Sequence, residues 1–202
     1  MNSLVLKKAI DFTTSALLPG GNIVNDYNFF ENINGKFCLL FFYPMDFTFV
    51  CPTELISISN RISEFKNRNI EVVTVSVDSH YVHKAWSNVP IELGGIGKNI
   101  NFTMVSDIKK DISISYNVLD DKSGVSLRGT FIIDDDKLIK ISHVNDFSIG
   151  RNIDEYIRLF DAIFFNKKYG DVCQAGWKSG DIGINPSIDG ISKYLKENYK
   201  KL

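Results

Sequence analysis

The chain has 202 residues, 44% of them hydrophobic and 23% charged, the proportions of an ordinary soluble globular protein long enough for one domain with a sizeable core. Its 23 Lys and Arg against 24 Asp and Glu leave a net charge of −1, which supports neither nucleic-acid nor anionic-membrane binding. No apolar run approaches the ~20 residues needed to span a bilayer. The first ten residues lack the long apolar core of a secretory signal and the Arg-rich character of a transit peptide, so the expected location is cytoplasmic. Three cysteines, Cys38, Cys51 and Cys173, are too few and of the wrong parity for a disulfide framework. The absence of Cys-x-x-Cys excludes a thioredoxin-type dithiol and a zinc ribbon.

In chain order, residues 37–43 read as a continuous apolar strand and 70–77 as a strand rich in β-branched residues, with an amphipathic helix over 52–66 between them. Such a strand–helix–strand unit implies parallel strands covered by helices. A second helix is expected over 79–88 with Ser79 as its cap, a short strand at 102–105 and a short helix at 108–115. Segments 129–134 and 137–144 read as a hairpin around Asp134-Asp135-Asp136. Residues 151–165 are strongly amphipathic, with Ile153, Tyr156, Ile157, Phe160 and Phe164 on one face. Beyond Asn166, Gly, Lys, Asp and Ser dominate up to Ser187, and a short helix follows at 188–199. The fold class is therefore α/β with a central mixed sheet flanked by helices. Residues 1–165 are expected to form the folded domain and 166–202 an irregular C-terminal arm of the same structural unit.

The most informative stretch is Phe-Tyr-Pro-Met-Asp-Phe-Thr-Phe-Val-Cys-Pro-Thr-Glu, residues 42–54. It places Cys51 in the first turn of a helix, just past an apolar strand. Free backbone N–H groups and the positive end of the helix dipole meet there, and both favour an anionic sulfur. Pro52 suits a helix start, and Glu54 complements it with a carboxylate. Thr48 can bring a hydroxyl to the sulfur. The bland alternative for Cys51 is a small buried hydrophobe, which is the assignment given to Cys38 in Phe-Cys-Leu-Leu-Phe-Phe. Cys173 sits on the polar arm rather than in a core, so with Cys51 it suggests an attacking thiol and its resolving partner. Spacing leaves open whether the two meet within one chain. Arg128, at the entrance to an apolar strand, can stabilise a thiolate and polarise an oxygen substrate, although most arginines are merely solvated; Arg151 carries a weaker version of the same case.

Other features are assigned no chemistry. Gly94-Gly95-Ile96-Gly97-Lys98 lacks the spacing of a phosphate loop and reads as a flexible loop. His80 and His83 lack a third ligand, so no metal is expected. The three consecutive aspartates read as a solvated turn.

Taken together, Pro44-x-x-x-Thr48-x-x-Cys51 and the later Arg128 resemble the active-site signature of the peroxiredoxins. Val-Ser-Val-Asp-Ser-His, Gly-Gly-Ile-Gly, Val-Ser-Asp, Leu-Arg-Gly-Thr-Phe-Ile-Ile-Asp, Val-Asn-Asp, Ile-Gly-Arg and Asp-Val-Cys-Gln-Ala-Gly-Trp extend the likeness in order over nearly the whole chain. The arm cysteine with Trp177 makes the chain similar to the typical 2-Cys group, of alkyl hydroperoxide reductase and thioredoxin peroxidase type. The resemblance implies a thioredoxin-like fold and a thiol-dependent peroxidase acting on hydrogen peroxide and alkyl hydroperoxides. Cys51 would be the peroxidatic residue, with Thr48 and Arg128 at the reacting oxygens, Pro44 shielding the sulfur, and Glu54 and Arg151 holding Arg128. Cys173 of a partner subunit would resolve the sulfenic acid as an intersubunit disulfide. An external dithiol reductant, thioredoxin-like or a flavoprotein, would recycle it. No bound cofactor or metal is implied, and the assembly would be a homodimer or a decamer of five dimers. A chaperone-type holdase and a peroxide-sensing thiol relay are the alternative readings. Two departures stand out: Gln174 replaces the usual proline after the arm cysteine, which should loosen the arm, and Tyr194-Leu195 replaces the Tyr-Phe of relatives prone to overoxidation.

Overall fold

In the computed structural model, which describes residues 3–98 and 100–201, the chain divides into two compact units between Ile153 and Asp154. The first is built on a seven-stranded mixed sheet. Its strands and helices in chain order are β1 (Thr13–Leu17), β2 (Ile23–Asn28), α1 (Phe29–Asn32), β3 (Phe37–Phe42), α2 (Cys51–Asn60), α3 (Ile62–Asn67), β4 (Ile70–Ser76), α4 (His80–Ser87), β5 (Thr103–Ser106), α5 (Asp111–Ser115), β6 (Leu119–Asp120), β7 (Val125–Ser126), β8 (Arg128–Ile133) and β9 (Ile139–Asn145). α6 (Ile153–Tyr169) starts at the boundary, and the second unit continues through the arm to α7 (Ile188–Asn198).

The sheet order is β2-β1-β5-β4-β3-β8-β9, with β6 and β7 forming a separate hairpin. β3, β4 and β5 pair in parallel, as the strand–helix–strand reading requires, while β8 joins β3 antiparallel and β9 closes that edge. Strands in the middle of such a sheet read as continuous apolar runs because both faces are covered, and every residue of β3 and of β8 is buried. On one face Cys38, Leu40 and Phe42 of β3 line up with Val73 and Val75 of β4, Val105 of β5, and Phe131 and Ile133 of β8. Phe42, Tyr116 and Phe131 form an aromatic cluster with ring centroids 5.0–5.8 Å apart. Each such pair adds about 0.5–1.5 kcal/mol to the area it buries.

The structure differs from the sequence reading in five places, four of them in its helices and strands. The helix expected over 52–66 begins at Cys51 and bends at Arg61 (φ −112°, ψ 8°), giving α2 and α3. Ser57, Ser59 and Asn60 crowd the turn before the bend, and side chains of this kind compete with helical backbone bonding. The helix expected from 108 starts only at Asp111, because Lys110 adopts a left-handed φ of 65°. The amphipathic helix runs on to Tyr169, four residues into the segment read as irregular. The β1–β2 ribbon was not expected at all: its residues, Thr-Thr-Ser-Ala-Leu and Ile-Val-Asn-Asp-Tyr-Asn, are half polar, and only the Pro19-Gly20-Gly21 turn between them signals a hairpin.

Other expectations hold. Ser79 caps α4, its Oγ accepting from the Val82 N–H at 3.2 Å. The Asp134 carboxylate accepts from the backbone N–H groups of Asp136 (3.1 Å) and Leu138 (2.8 Å), turning the chain from β8 into β9. A fifth reading is corrected: the 94–97 segment, expected as a flexible loop, is packed, since a Cβ on Gly95 would collide with the Val89 carbonyl and Gly94 O accepts from the Trp86 indole at 3.0 Å.

Candidate active site

Cys51 is the first residue of α2 and is fully buried. Val50 precedes it in helical conformation and offers no capping side chain, and Pro52 follows within the first turn. The strand β3 ends at Phe42, and residues 43–50 carry the chain across to the helix. Cys51 is thereby placed beyond the C-terminal end of a central parallel strand, where ligands of open α/β sheets bind.

That loop is pinned by a buried polar network. The Tyr43 hydroxyl donates to Asp46 Oδ1 at 2.7 Å. Both ring nitrogens of His83 face acceptors, the Asp46 carboxylate at 2.8 Å and the Val105 carbonyl at 3.2 Å. The Asp46 N–H donates to Asp78 Oδ2 at 2.8 Å, and the Ser126 hydroxyl to the Tyr43 carbonyl at 2.9 Å. Burial, with the Asp46 carboxylate nearby, holds the Asp78 carboxyl above its ordinary value. Within this frame Pro44 is buried and Thr48 half-buried. The Thr48 hydroxyl donates to the Met45 carbonyl at 2.9 Å, which orients its lone pairs as acceptors toward any further donor. His83 therefore supports the loop through both ring nitrogens.

Arg128 opens β8, on the strand antiparallel to β3. Its Nη1 lies 3.4 Å from Cys51 Sγ and donates to Glu54 Oε2 at 2.8 Å. Its Nε and Nη2 donate to the Phe147 carbonyl at 2.8 and 2.6 Å. Glu54, one helical turn after Cys51, accepts from Arg151 as well: backbone N–H and Nε to Oε1 at 2.8 and 2.9 Å, Nη2 to Oε2 at 2.9 Å. Rather than capping the helix, the carboxylate joins two arginines. Arg151 Nη1 reaches the Gly129 carbonyl and the Thr130 hydroxyl, both at 2.9 Å, and its guanidinium lies 3.2 Å above the Phe41 ring. At Gly150, the residue before Arg151, a Cβ would press on Val50 Cγ1 at 3.2 Å, so the 147–151 loop lies close against the residue that precedes Cys51. All three side chains are buried, so the net charge around the sulfur is positive and shielded from water. The arrangement can stabilise a thiolate and an oxygen that gains charge beside it.

The structure brings together Cys51, Glu54, Arg128 and Arg151, with Pro44 and Thr48 on the adjoining loop. Cys173 belongs to the second unit, where its thiol donates to the Ala162 carbonyl of α6 at 3.5 Å. Two parts of the site are not marked by any motif in the sequence. The Phe147 carbonyl is a backbone group, which no residue type announces. The Tyr43–Asp46–His83 network joins the 43–50 loop to α4, although Asp46 inside the signature stretch was a visible clue. All three cysteines are free thiols. Among the described residues the one grouping of potential metal ligands is Asp134, Asp135 and Asp136 at the β8–β9 turn, and no helix is long and apolar enough to cross a membrane.

Comparison with known proteins shows the family. Residues 5–142 match the model of the AhpC/TSA family. The chain is 50% identical to alkyl hydroperoxide reductase C of Buchnera aphidicola subsp. Baizongia pistaciae, over 98% of this chain and 99% of that one. It is 42% identical to peroxiredoxin-1 of Gekko japonicus, over 98% of each. Among solved structures it superposes on the reduced 2-Cys peroxiredoxin of Plasmodium vivax with a TM-score of 0.92 and 43% identity, covering 96% of this chain and 100% of that one. With family match, near-full-length identity and a shared thioredoxin-like fold in agreement, the chain belongs to the AhpC/TSA family, the peroxiredoxin-type thiol peroxidases.

Proposed function

We propose that the chain reduces hydrogen peroxide and alkyl hydroperoxides through Cys51 and Cys173. The Cys51 thiolate attacks the terminal oxygen of the hydroperoxide. The O–O bond breaks, Cys51 becomes a sulfenic acid, and the other oxygen takes up a proton and leaves as water or an alcohol. The observation that carries this reading is the Arg128 guanidinium 3.4 Å from the sulfur, locked by Glu54 and the Phe147 carbonyl. A cation fixed in advance needs no reorganisation when negative charge moves from sulfur to the leaving oxygen. Thr48, its proton already engaged with Met45, accepts from the hydroperoxide O–H and orients it, while Pro44 covers the sulfur.

Cys173 of a partner subunit then attacks the sulfenic sulfur, giving an intersubunit disulfide and water. A dithiol reductant, thioredoxin-like or a flavoprotein, returns both thiols. The protein acts in the cytoplasm, where free cysteines persist. The assembly is a homodimer or a decamer of five dimers; exposed Met45, Phe47 and Phe49 around the site support an assembled state.

The test is one equivalent of hydrogen peroxide added to wild type and Cys173→Ser, read by non-reducing gel and intact mass. A Cys51–Cys173-linked dimer in wild type and a monomeric sulfenic acid in the variant are expected. A disulfide within one chain, or none, would remove the partner from the resolving step.

A further inference from the structure

Cys173 is followed by a turn whose own interactions are weak. The Trp177 N–H donates to the Gln174 carbonyl at 3.1 Å, but Gln174 Oε1 and Trp177 Nε1 are both buried and carry no hydrogen bond. Desolvated polar atoms of this kind penalise the packed arrangement. Upstream, Val172 and Ile184 exchange two neutral backbone bonds of 2.9 Å, and the Trp177 ring lies against Phe165 with centroids 5.0 Å apart. One charged tether supplements these contacts. Arg158 of α6 donates through Nη1 to the Trp177 carbonyl at 2.6 Å, while its Nε and Nη2 grip the two oxygens of Glu155 at 2.7 Å each. The bidentate pair fixes the plane of the guanidinium and aims Nη1 at the turn. Ala162, which accepts the Cys173 thiol, lies one helical turn beyond Arg158, so clasp and thiol share one stretch of helix.

We propose that Arg158 is a positioning residue of the resolving step, clasping the 174–177 turn so that its grip sets how readily Cys173 leaves its packed site. The inference rests on the reading of Cys173 as the resolving thiol. In the packed arm the Cys173 S–H donates to a carbonyl, an arrangement that favours the thiol over the thiolate. Burial pushes the thiol up in the same direction, with the Arg158 charge opposing. Attack on the sulfenic sulfur therefore requires release first. A tight clasp slows resolution, and a loose one speeds it.

The experiment is rapid mixing of reduced protein with hydrogen peroxide, followed by tryptophan fluorescence and by acid-quenched non-reducing gels, for wild type, Arg158→Lys, Arg158→Met and Glu155→Gln. Lysine keeps the charge but cannot hold Glu155 and the Trp177 carbonyl in one plane. The peroxide-independent rate of disulfide formation should rise about three- to tenfold in Arg158→Lys, the scale of one charge-assisted hydrogen bond at a partly exposed site. Glu155→Gln should give a smaller rise. The second-order oxidation of Cys51 should stay unchanged in both. Arg158→Met should also accelerate, with its pH profile displaced to higher pH because the opposing charge is gone. Unchanged or slower disulfide formation in Arg158→Lys and Glu155→Gln would overturn the clasp. So would a parallel fall of both rates, which marks general loss of structure. Failure of wild type to form a Cys51–Cys173 bond would overturn the underlying reading as well, and the gels distinguish that case.

Discussion

Glu54 shows how one carboxylate can organise a cationic site. Two buried guanidinium groups would repel each other in a low-dielectric interior, and Glu54 accepts from both within 2.9 Å. Removing one partner from such a network leaves uncompensated buried charge, which costs about 3–5 kcal/mol. Glu54→Gln keeps the shape and should lower unfolding stability by about that much in a denaturant titration. The oxidation of Cys51 by peroxide should fall by about 10²-fold, because Arg128 loses the contact that fixes its Nη1 beside the sulfur. Comparable stability and rate in the variant would show that the Phe147 carbonyl suffices to hold Arg128. Position at a helix start singled out Cys51 and Glu54, and a strand-entrance position with the family resemblance singled out Arg128. Helix-start grammar set Glu54 only at the helix end, and its place with Arg151 beside Arg128 was implied by the family resemblance alone, since it depends on where β8 and the 147–151 loop bring those arginines.

Among the elements, α7 bears the departure at Tyr194-Leu195. Leu195 is 40% exposed and Tyr194 half-buried. A phenylalanine at 195 adds aromatic surface that can be buried when the C-terminal segment covers a neighbour, worth about 1 kcal/mol for a partly buried ring. In wild type the weaker cover should favour disulfide formation over further oxidation. Leu195→Phe should therefore accumulate Cys51 sulfinic acid at about fivefold lower peroxide during turnover, read by mass spectrometry. Equal accumulation in the two proteins would assign the position no role. Elements were legible where periodicity was strong: the all-apolar β3, the β-branched β4 and the long α6. They were not legible at β1 and β2, whose half-polar sequences become strands because β1 can pair with the edge of β5 through Ala16–Val105 and Leu17–Met104. Pairing energy supplied by a neighbour has no counterpart in the strand's own sequence.

For the whole molecule, the distribution of exposed apolar surface matters most. Phe49 is 94% exposed, and Phe47, Tyr81, Ile91 and Leu93 each exceed half exposure. Isolated exposed hydrophobes are common, but several large ones within one unit point to covered surface in an assembly. Sedimentation of the reduced protein should give a mass of at least two chains. Phe49→Asp should shift it toward smaller species, whereas a monomeric wild type would contradict the assembly. The periodicity of successive segments carried the α/β class, the helix start at Cys51 made that cysteine the candidate, and the 42–54 stretch with Arg128 and the later motifs carried the family resemblance, because helix-start chemistry and strand periodicity are local properties. Only the tertiary structure placed the Arg128 guanidinium at the sulfur through Glu54 and Phe147, tied the active-site loop down through His83, and set the Cys173 thiol on Ala162. Those placements follow from contacts between segments far apart in the chain, whose geometry is fixed by sheet pairing and packing and not by any residue's neighbours in sequence.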